Sequence, residues 1–273
     1  MSATTEAGAA APMLLRDDHA NGVTVLTLNR PASRNSLSLQ MLETLENALA
    51  AIAEDASVRC VVLAAAGPVF SAGHDLREIN AHRADLDHGR GFYDRAMETC
   101  ARVMQAITAL PQPVVAAVQG VATAAGCQLV ATCDLAVASD QARFCTPGVD
   151  IGLFCSTPAV ALARAVPRKV AMEMLMLGDM VGAEEALRIG LVNRVVAPDQ
   201  LMTVALELAG RIAARSALTV RMGKRGFYRQ VDLPLADAYR EAACVMADNL
   251  MAHDAVEGIG AFLAKRRPTW QDR

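Results

Sequence analysis

Over its first half the chain alternates between short apolar runs and helical stripes. Val23–Asn29 (VTVLTLN) is rich in β-branched residues and bounded by Asn21-Gly22 and Pro31, which predicts a strand. Ser38 stands where a helix cap belongs, and Leu42, Leu45, Leu49 and Ile52 follow at helical spacing. Val58–Ala64 and Val114–Val118 are unbroken apolar runs, the mark of strands covered on both faces. A polar stretch rich in His and Arg reaches to about Gly91. A helix is expected from there through Ile107, ahead of Pro111 and Pro113. Gly120–Gly126 reads as a turn of small residues opening a short helix, and Leu135–Ala138 as another strand. Such alternation predicts an α/β fold with parallel pairing.

Beyond Pro158 the pattern turns helical. Helices are expected over Ala159–Ala165, Lys169–Leu177, Ala183–Ile189, Pro198–Arg215, Ala217–Gln230, Leu235–Asn249 and Ala255–Lys265, with Gly190-Leu191-Val192-Asn193 as one returning strand. Nothing resembles a low-complexity linker or a fixed-period repeat. The shift near residue 200 suggests a core over 14–200 and a helical appendage over 201–273, with residues 1–13 as a disordered tail.

Composition narrows the function. Of 273 residues 53% are hydrophobic, enough for a sizeable core, but only 4% are aromatic. The core must therefore be Ala, Val, Leu and Met, and no aromatic platform exists for stacking bases. Lys plus Arg is 26 against 29 for Asp plus Glu, a net charge of −3 that argues against a nucleic-acid partner. Seven cysteines at 60, 100, 127, 133, 145, 155 and 244 form no CxxC pair. Disulfides and a cysteine zinc site are not expected, and a cytoplasmic location is. The opening residues have neither the basic start of a secretory signal nor the arginines of a mitochondrial transit peptide. The most apolar stretch, 113–138, is broken by Gln119, Gly120, Thr123, Gln128 and Asp134, so no membrane span is expected. The histidines at 19, 82, 88 and 253 lack ligand spacing, and no metal is expected.

Two segments collect small residues where large ones would pack better: Ser71-Ala72-Gly73-His74-Asp75 and Gly120-Val121-Ala122-Thr123-Ala124-Ala125-Gly126-Cys127-Gln128. Small residues permit close backbone approach to a ligand, and free N–H groups at a helix start favour negative charge. Two such donors converging on one point make an oxyanion hole. On pattern alone, two tight turns with packing glycines explain the same residues.

Ordered motifs carry a resemblance. Leu28-Asn29-Arg30-Pro31 with Arg34-Asn35-Ser36-Leu37, then Phe70–Leu76, Val121–Leu129 with Cys133-Asp134, Phe144 with Pro147 and Gly152, Gly190-Leu191-Val192 and Phe262–Arg267 resemble the enoyl-CoA hydratase/isomerase (crotonase) superfamily over roughly residues 14–270. The resemblance implies a crotonase (ClpP-like) spiral of ββα units followed by a helical trimerisation region. It implies a CoA thioester as substrate with no separate cofactor, and a homotrimer or dimer of trimers. It implies that the backbone N–H groups of His74 and Ala125 bind the thioester oxygen and stabilise an enolate. Two glutamates of the family's hydratases are replaced here, by Gln128 and Gly148. Glutamine cannot take up a proton and glycine offers no side chain, so hydratase activity is expected to be weak. Substitute catalytic groups are Asp150, two residues beyond Gly148, and the His74 imidazole in place of a small residue. Cys127, Cys145 and Cys155 fall near the expected cleft, where a thiol nucleophile would imply thioester hydrolysis. The CoA path is expected along Arg30, Arg34, Ala72, Asp75, Leu76, Arg77, Gly148, Phe262 and Lys265, with the Lys265–Arg267 basic run equally explained as a solvated face. Asp75 and Asp134 are expected to fix loops. An acyl-CoA binding protein without turnover stands as the reading from another class.

Overall fold

The computed structural model describes residues 11–273, so most of the expected tail, 1–10, lies outside the described residues. The apolar runs become two sheets. The larger has the strand order β1 (Leu14–Asp18), β2 (Val23–Leu28), β3 (Cys60–Ala65), β5 (Val114–Val118), β7 (Leu135–Ser139), β10 (Arg194–Val196). Only β1 runs antiparallel to its neighbour. The smaller joins β4 (Val69–Ser71), β6 (Val121–Thr123), β8 (Arg143–Cys145) and β9 (Val181–Gly182), parallel except for the last. Each turn of the chain adds one strand to each sheet and then turns helical. The helices that follow are α2 (Leu76–Ala81) with α3 (Arg90–Ala109), then α4 (Ala125–Thr132), then α5 (Ser156–Ala165) with α6 (Arg168–Leu177). This is the ββα spiral that the resemblance implies.

Both faces of the larger sheet are covered, which is why β3 and β5 read as unbroken apolar runs. On one face Leu26, Val61, Leu63, Val114 and Ala116 pack against α1 (Leu39–Ala53), α3 and α4. On the other, Val23, Val25, Val62, Val115 and Val137 meet Leu201, Ala205 and Ala209 of α8 (Leu201–Ala213). The alanine stripe lets α8 lie close against the strands. The helical region thus begins with a helix that belongs to the core packing. After α7 (Ala183–Arg188) and α8, the elements α9 (Ala217–Gln230), α10 (Leu235–Leu250) and α11 (His253–Leu263) extend from it. The ammonium of Lys224 on α9 is buried and donates to Ile107 O (2.9 Å), Gln112 O (3.0 Å) and Asp134 Oδ2 (2.7 Å). Tyr228 donates to the other Asp134 oxygen at 2.9 Å, and Val114 N donates to Oδ2 at 2.7 Å. Asp134 therefore fixes both its own loop and α9.

Ser38 caps α1, accepting from Met41 N at 3.2 Å. One expectation needs correction. The returning strand is Arg194–Val196, not 190–193; Gly190 adopts φ 85° to end the turn after α7, and Asn193 ties that turn to Ala136 through both its backbone and its side chain. The polar stretch after Asp75 contains the short helix α2, whose start is fixed by Asp75 and not by any apolar stripe. No described helix is long and apolar enough to cross a membrane.

Candidate active site

The two small-residue segments end on neighbouring strands, because β4 and β6 pair in parallel with Ser71 opposite Ala122. A buried asparagine organises the wall beside them. Asn35 accepts from Arg30 N (2.8 Å), donates to Ala66 O and Val69 O (2.8 Å each), and its carbonyl accepts from the Ser71 hydroxyl (2.9 Å). Ala72 N donates to Arg34 O (3.0 Å), Leu37 N to Gly73 O (2.7 Å), and Thr123 Oγ1 to Ala72 O (3.0 Å). Segments 30–37, 71–75 and 121–125 are therefore one connected surface.

Backbone conformation then aims the donors. Gly73 has φ 80°, and a Cβ there would lie 3.1 Å from Ala125 N and 3.0 Å from the Ala124 methyl, so only glycine fits. Ala124 holds φ 49° with ψ −118°, a region L-residues avoid, and is pinned by its own N–H donating to Cys145 O at 2.9 Å. Strain of this kind costs about 1–3 kcal/mol and persists only where surroundings impose it. Its effect is to present Ala125 N–H at the head of α4. Gly126 lets that helix lie flush on β4, since a Cβ would fall 2.3 Å from Ser71 O. Neither the Ala125 N–H nor the His74 N–H has an acceptor among the described residues. Two free amides thus flank Gly73 on segments that touch.

The side chains around them are poor in titratable groups. The His74 Nε2 is buried without a hydrogen-bond partner, and burial pulls the imidazole down to about 4, so it is neutral near pH 7 and has no proton to spare as an acid. Gln128 is buried in the first turns of α4, and its Oε1 receives only a long contact from the Cys100 thiol at 3.9 Å. At Gly148 the space for a side chain is occupied: a Cβ would stand 2.9 Å from both Leu153 O and Cys155 Sγ. The turn responsible is closed by Leu153 N donating to Gly148 O at 2.9 Å. Asp150 does not share the face of Gly148. Residues Pro147–Ile151 form a 3-10 helix, in which neighbours two apart point about 240° apart. Asp150 is exposed and faces Gly178, whose Cβ position is 3.5 Å from its Oδ2.

The cysteines cluster as expected but are disarmed. Burial raises the thiols of Cys127 and Cys155 and pushes Cys145 up to about 11, with Cys155 and Asp150 adding to the rise at Cys145. Thiolate is the nucleophile, so these environments oppose attack on a thioester. Among the described residues no group of three His, Cys, Asp or Glu side chains could hold a metal ion.

Of the residues expected along the CoA path, Arg30, Arg34, Ala72, His74, Asp75, Leu76 and Arg77 come together on one side. The Arg30 Nε is buried and unpartnered, Arg34 is exposed at φ 55°, and Leu76 and Arg77 are exposed. Asp75 caps α2, accepting from Arg77 N (3.0 Å), Glu78 N (3.2 Å) and the Ser36 hydroxyl (3.0 Å). Phe262 and Lys265 lie elsewhere, at the exposed end of α11, and no hydrogen bond joins them to segments 30–37 or 71–77. The organising roles of Asn35 and Ser71, and the Cys155 thiol that fills the Gly148 site, were not singled out from sequence. Polar residues inside a turn carry no periodic signal, and only the fold brings 155 to 148.

A spiral of ββα turns with free amides on adjoining loops defines a class. The sequence matches the enoyl-CoA hydratase/isomerase family over residues 18–273, and the chain belongs to that family. Within it, the runs Val121–Leu129 and Pro147–Ala165 point to the subgroup of enoyl-CoA hydratase domain-containing protein 3. The mitochondrial protein of that name from Rattus norvegicus is 48% identical over 259 residues, covering 95% of this chain and 85% of the relative. The crystal structure of the human protein of that name superposes with a TM-score of 0.89 at 45% identity, over 95% of this chain and 100% of that one. An enoyl-CoA hydratase structure from Mycobacterium smegmatis reaches 0.91 at 52% identity, over 95% and 99%.

Proposed function

We propose that the chain binds an acyl-CoA thioester with its carbonyl oxygen between the His74 and Ala125 N–H groups, and stabilises the enolate that forms there. The observation that carries this is the pair of unsatisfied amides held beside Gly73 by a strained Ala124. A donor of this kind contributes about 3–4 kcal/mol to a barrier. The reaction is of the lyase or isomerase type, as in fatty acid metabolism, with hydration slow. Gln128 can hold a water but cannot take its proton, and no carboxylate fits at Gly148. Asp150, His74 and the three thiols each lack the position or the protonation state to replace the missing acids.

The filled Gly148 site also favours a second reading, an acyl-CoA binding protein without turnover. Crotonyl-CoA separates the two: loss of the enoyl absorbance supports turnover, whereas saturable binding with an unchanged spectrum supports binding alone. Free CoA in a thiol assay would instead support hydrolysis. A panel of CoA esters scored by mass spectrometry for binding and product extends the test to acyl-chain preference. Gln128→Glu is expected to raise hydration at least tenfold, since one general acid–base group supplies about 10²–10⁴. An unchanged rate in a folded, acyl-CoA-binding variant would remove the missing-carboxylate account.

A homotrimer or dimer of trimers fits the apolar surface left open on α6 and on the C-terminal helix α10. Met176 and Leu177 on α6 are 60% and 55% exposed, and Leu235 and Tyr239 on α10 are 75% and 72%. Light scattering that gives a monomer would refute it. The seven cysteines are all free, which asks for a reducing compartment; the cytoplasm meets that need, and so does the mitochondrial name of the rat relative.

A further inference from the structure

Three buried side-chain polar atoms have no hydrogen-bond partner among the described residues: Arg30 Nε, His74 Nε2 and Gln112 Oε1. The first two belong to the candidate active site, and Gln112 does not. It lies in the turn between α3 and β5, at the end of the larger sheet where β3 and β5 begin. His74 and Ala125 come after those strands have ended. Six residues of β3, roughly 20 Å at about 3.3 Å each, therefore stand between the two places.

Gln112 is 7% exposed, and its amide is held in one orientation. Its Nε2 donates to Ile52 O (2.9 Å) and Asp55 O (3.4 Å), and its backbone carbonyl accepts from Lys224 Nζ (3.0 Å). Oε1 is thus fixed as an acceptor with no donor, which a buried group rarely is. Gln112 lines a cavity of about 310 Å³, within the range of roughly 300–1,000 Å³ that small-ligand pockets occupy. Buried Val58 and half-buried Pro111 and Leu218 give this cavity apolar walls, and Glu54, Arg215 and Arg221 are exposed at its opening.

Arg59 and Asp272 complete the lining and neutralise each other, with Asp272 at 2.7 Å from Nη1 and 3.1 Å from Nη2. The same guanidinium donates to Ala213 O and Arg215 O, each at 2.7 Å. Asp272 also accepts from Ala217 N at 2.7 Å, and Asp254 of α11 fixes its backbone by accepting from Gln271 N (2.8 Å) and Asp272 N (2.9 Å). The charges left over are two guanidiniums and one carboxylate, none of them in an ion pair among the described residues. The cavity is therefore positive on a chain whose net charge is −3.

An acceptor at the bottom, apolar walls and two free guanidiniums at the opening suit a ligand with an N–H donor at one end, a flat body and an anion at the other. We propose that this cavity is a second small-molecule site, and that its ligand is a nucleoside monophosphate bearing an exocyclic amine. The amine donates to Gln112 Oε1, the base lies against Val58, Pro111 and Leu218, and Glu54 accepts from a ribose hydroxyl. Arg215 and Arg221 take the phosphate, whose oxygens match their forked donors. The site shares no residue with segments 30–37, 71–77 or 121–128, so it stands whether or not the acyl-CoA reading does.

Calorimetric titration of the full chain with AMP should show one saturable site per chain. IMP carries a carbonyl oxygen where AMP carries the amine, which sets acceptor against acceptor at Gln112, and should bind at least tenfold more weakly. Arg215→Ala and Arg221→Ala should each weaken AMP about tenfold with the melting temperature unchanged, since both side chains are exposed and unpartnered. Saturating butyryl-CoA should leave AMP affinity as it was. Absence of saturable AMP binding would overturn the site. Equal affinity for IMP would overturn the role of Gln112 and with it the ligand class. Wild-type affinity in both arginine variants, or displacement of AMP by butyryl-CoA, would place the nucleotide elsewhere and overturn the site as well.

Discussion

Helices α4 and α11 are held in place by opposite means. All but one of the eight residues of α4 are buried, and glycine at 126 lets its backbone sit on β4. Helix α11 buries two of eleven and hangs on carboxylates. Apolar packing in close contact has little room to relax, so the amides at the head of α4 are preorganised and cannot drift. Partly exposed ion pairs are individually weak and exchange readily with water. The floor of the site is thereby rigid, and the element bearing Phe262 and Lys265 is adjustable.

The sharpest way to break this contrast is to crowd the rigid side. Gly73→Ala would place a methyl 3.1 Å from Ala125 N in a backbone conformation with φ 80°. The expected loss is roughly 10²–10³ in kcat/KM, or an equivalent loss of acyl-CoA affinity if turnover is absent. An undiminished variant would mean that the Ala125 N–H is not used.

Acid should also strike the floor first. The folded-state value of His74 is about 4 against an ordinary 6.5, so below 6.5 the unfolded chain takes up a proton that the native one refuses. The contribution is fully present above pH 6.5 and lost as pH falls toward 4, about 3 kcal/mol at most. Denaturant unfolding at pH 7 and 4.5 should show that loss, and His74→Gln should flatten it. An NMR titration placing the imidazole near 6.5 would contradict the buried, unpartnered ring.

Placing a carboxylate at position 148 is expected to fail. Gly148→Glu must displace the Leu153 carbonyl and the Cys155 thiol, a strain of about 1–3 kcal/mol. Its melting temperature should fall, and it should add no hydration, either to the wild type or on top of what Gln128→Glu gives. Gain of hydration by the double variant beyond Gln128→Glu would show that the 153–155 turn yields more easily than its contacts imply.

The smallest effect tests the strain itself. Ala124→Gly removes the penalty at φ 49° and ψ −118°, and should raise the melting temperature by about 2–4 °C, the equivalent of about 1 kcal/mol. A lower melting temperature would mean that the Ala124 methyl does more for packing than the strained backbone costs.

Much of this was legible along the chain. Buried strands announced themselves as unbroken apolar runs, α1 by its cap and stripe, and the two small-residue segments by the absence of bulk. What was illegible lacked any local period. Helix α2 is six residues fixed by one aspartate, and Asn35 acts through three backbone partners 5, 31 and 34 residues away. The returning strand was misplaced because apolar Leu191 and Val192 fill the core from a turn, which burial alone does not distinguish from a strand.

The sequence by itself determined the alternating architecture and the family, because period and ordered motifs are properties of the chain in one dimension. Only the tertiary structure decided that the space beside Gly148 is filled by Leu153 and Cys155, that Asp150 points away from it, and that Arg59 clasps Asp272 across the molecule. Those are statements about distance between residues remote in sequence, and distance is set by packing.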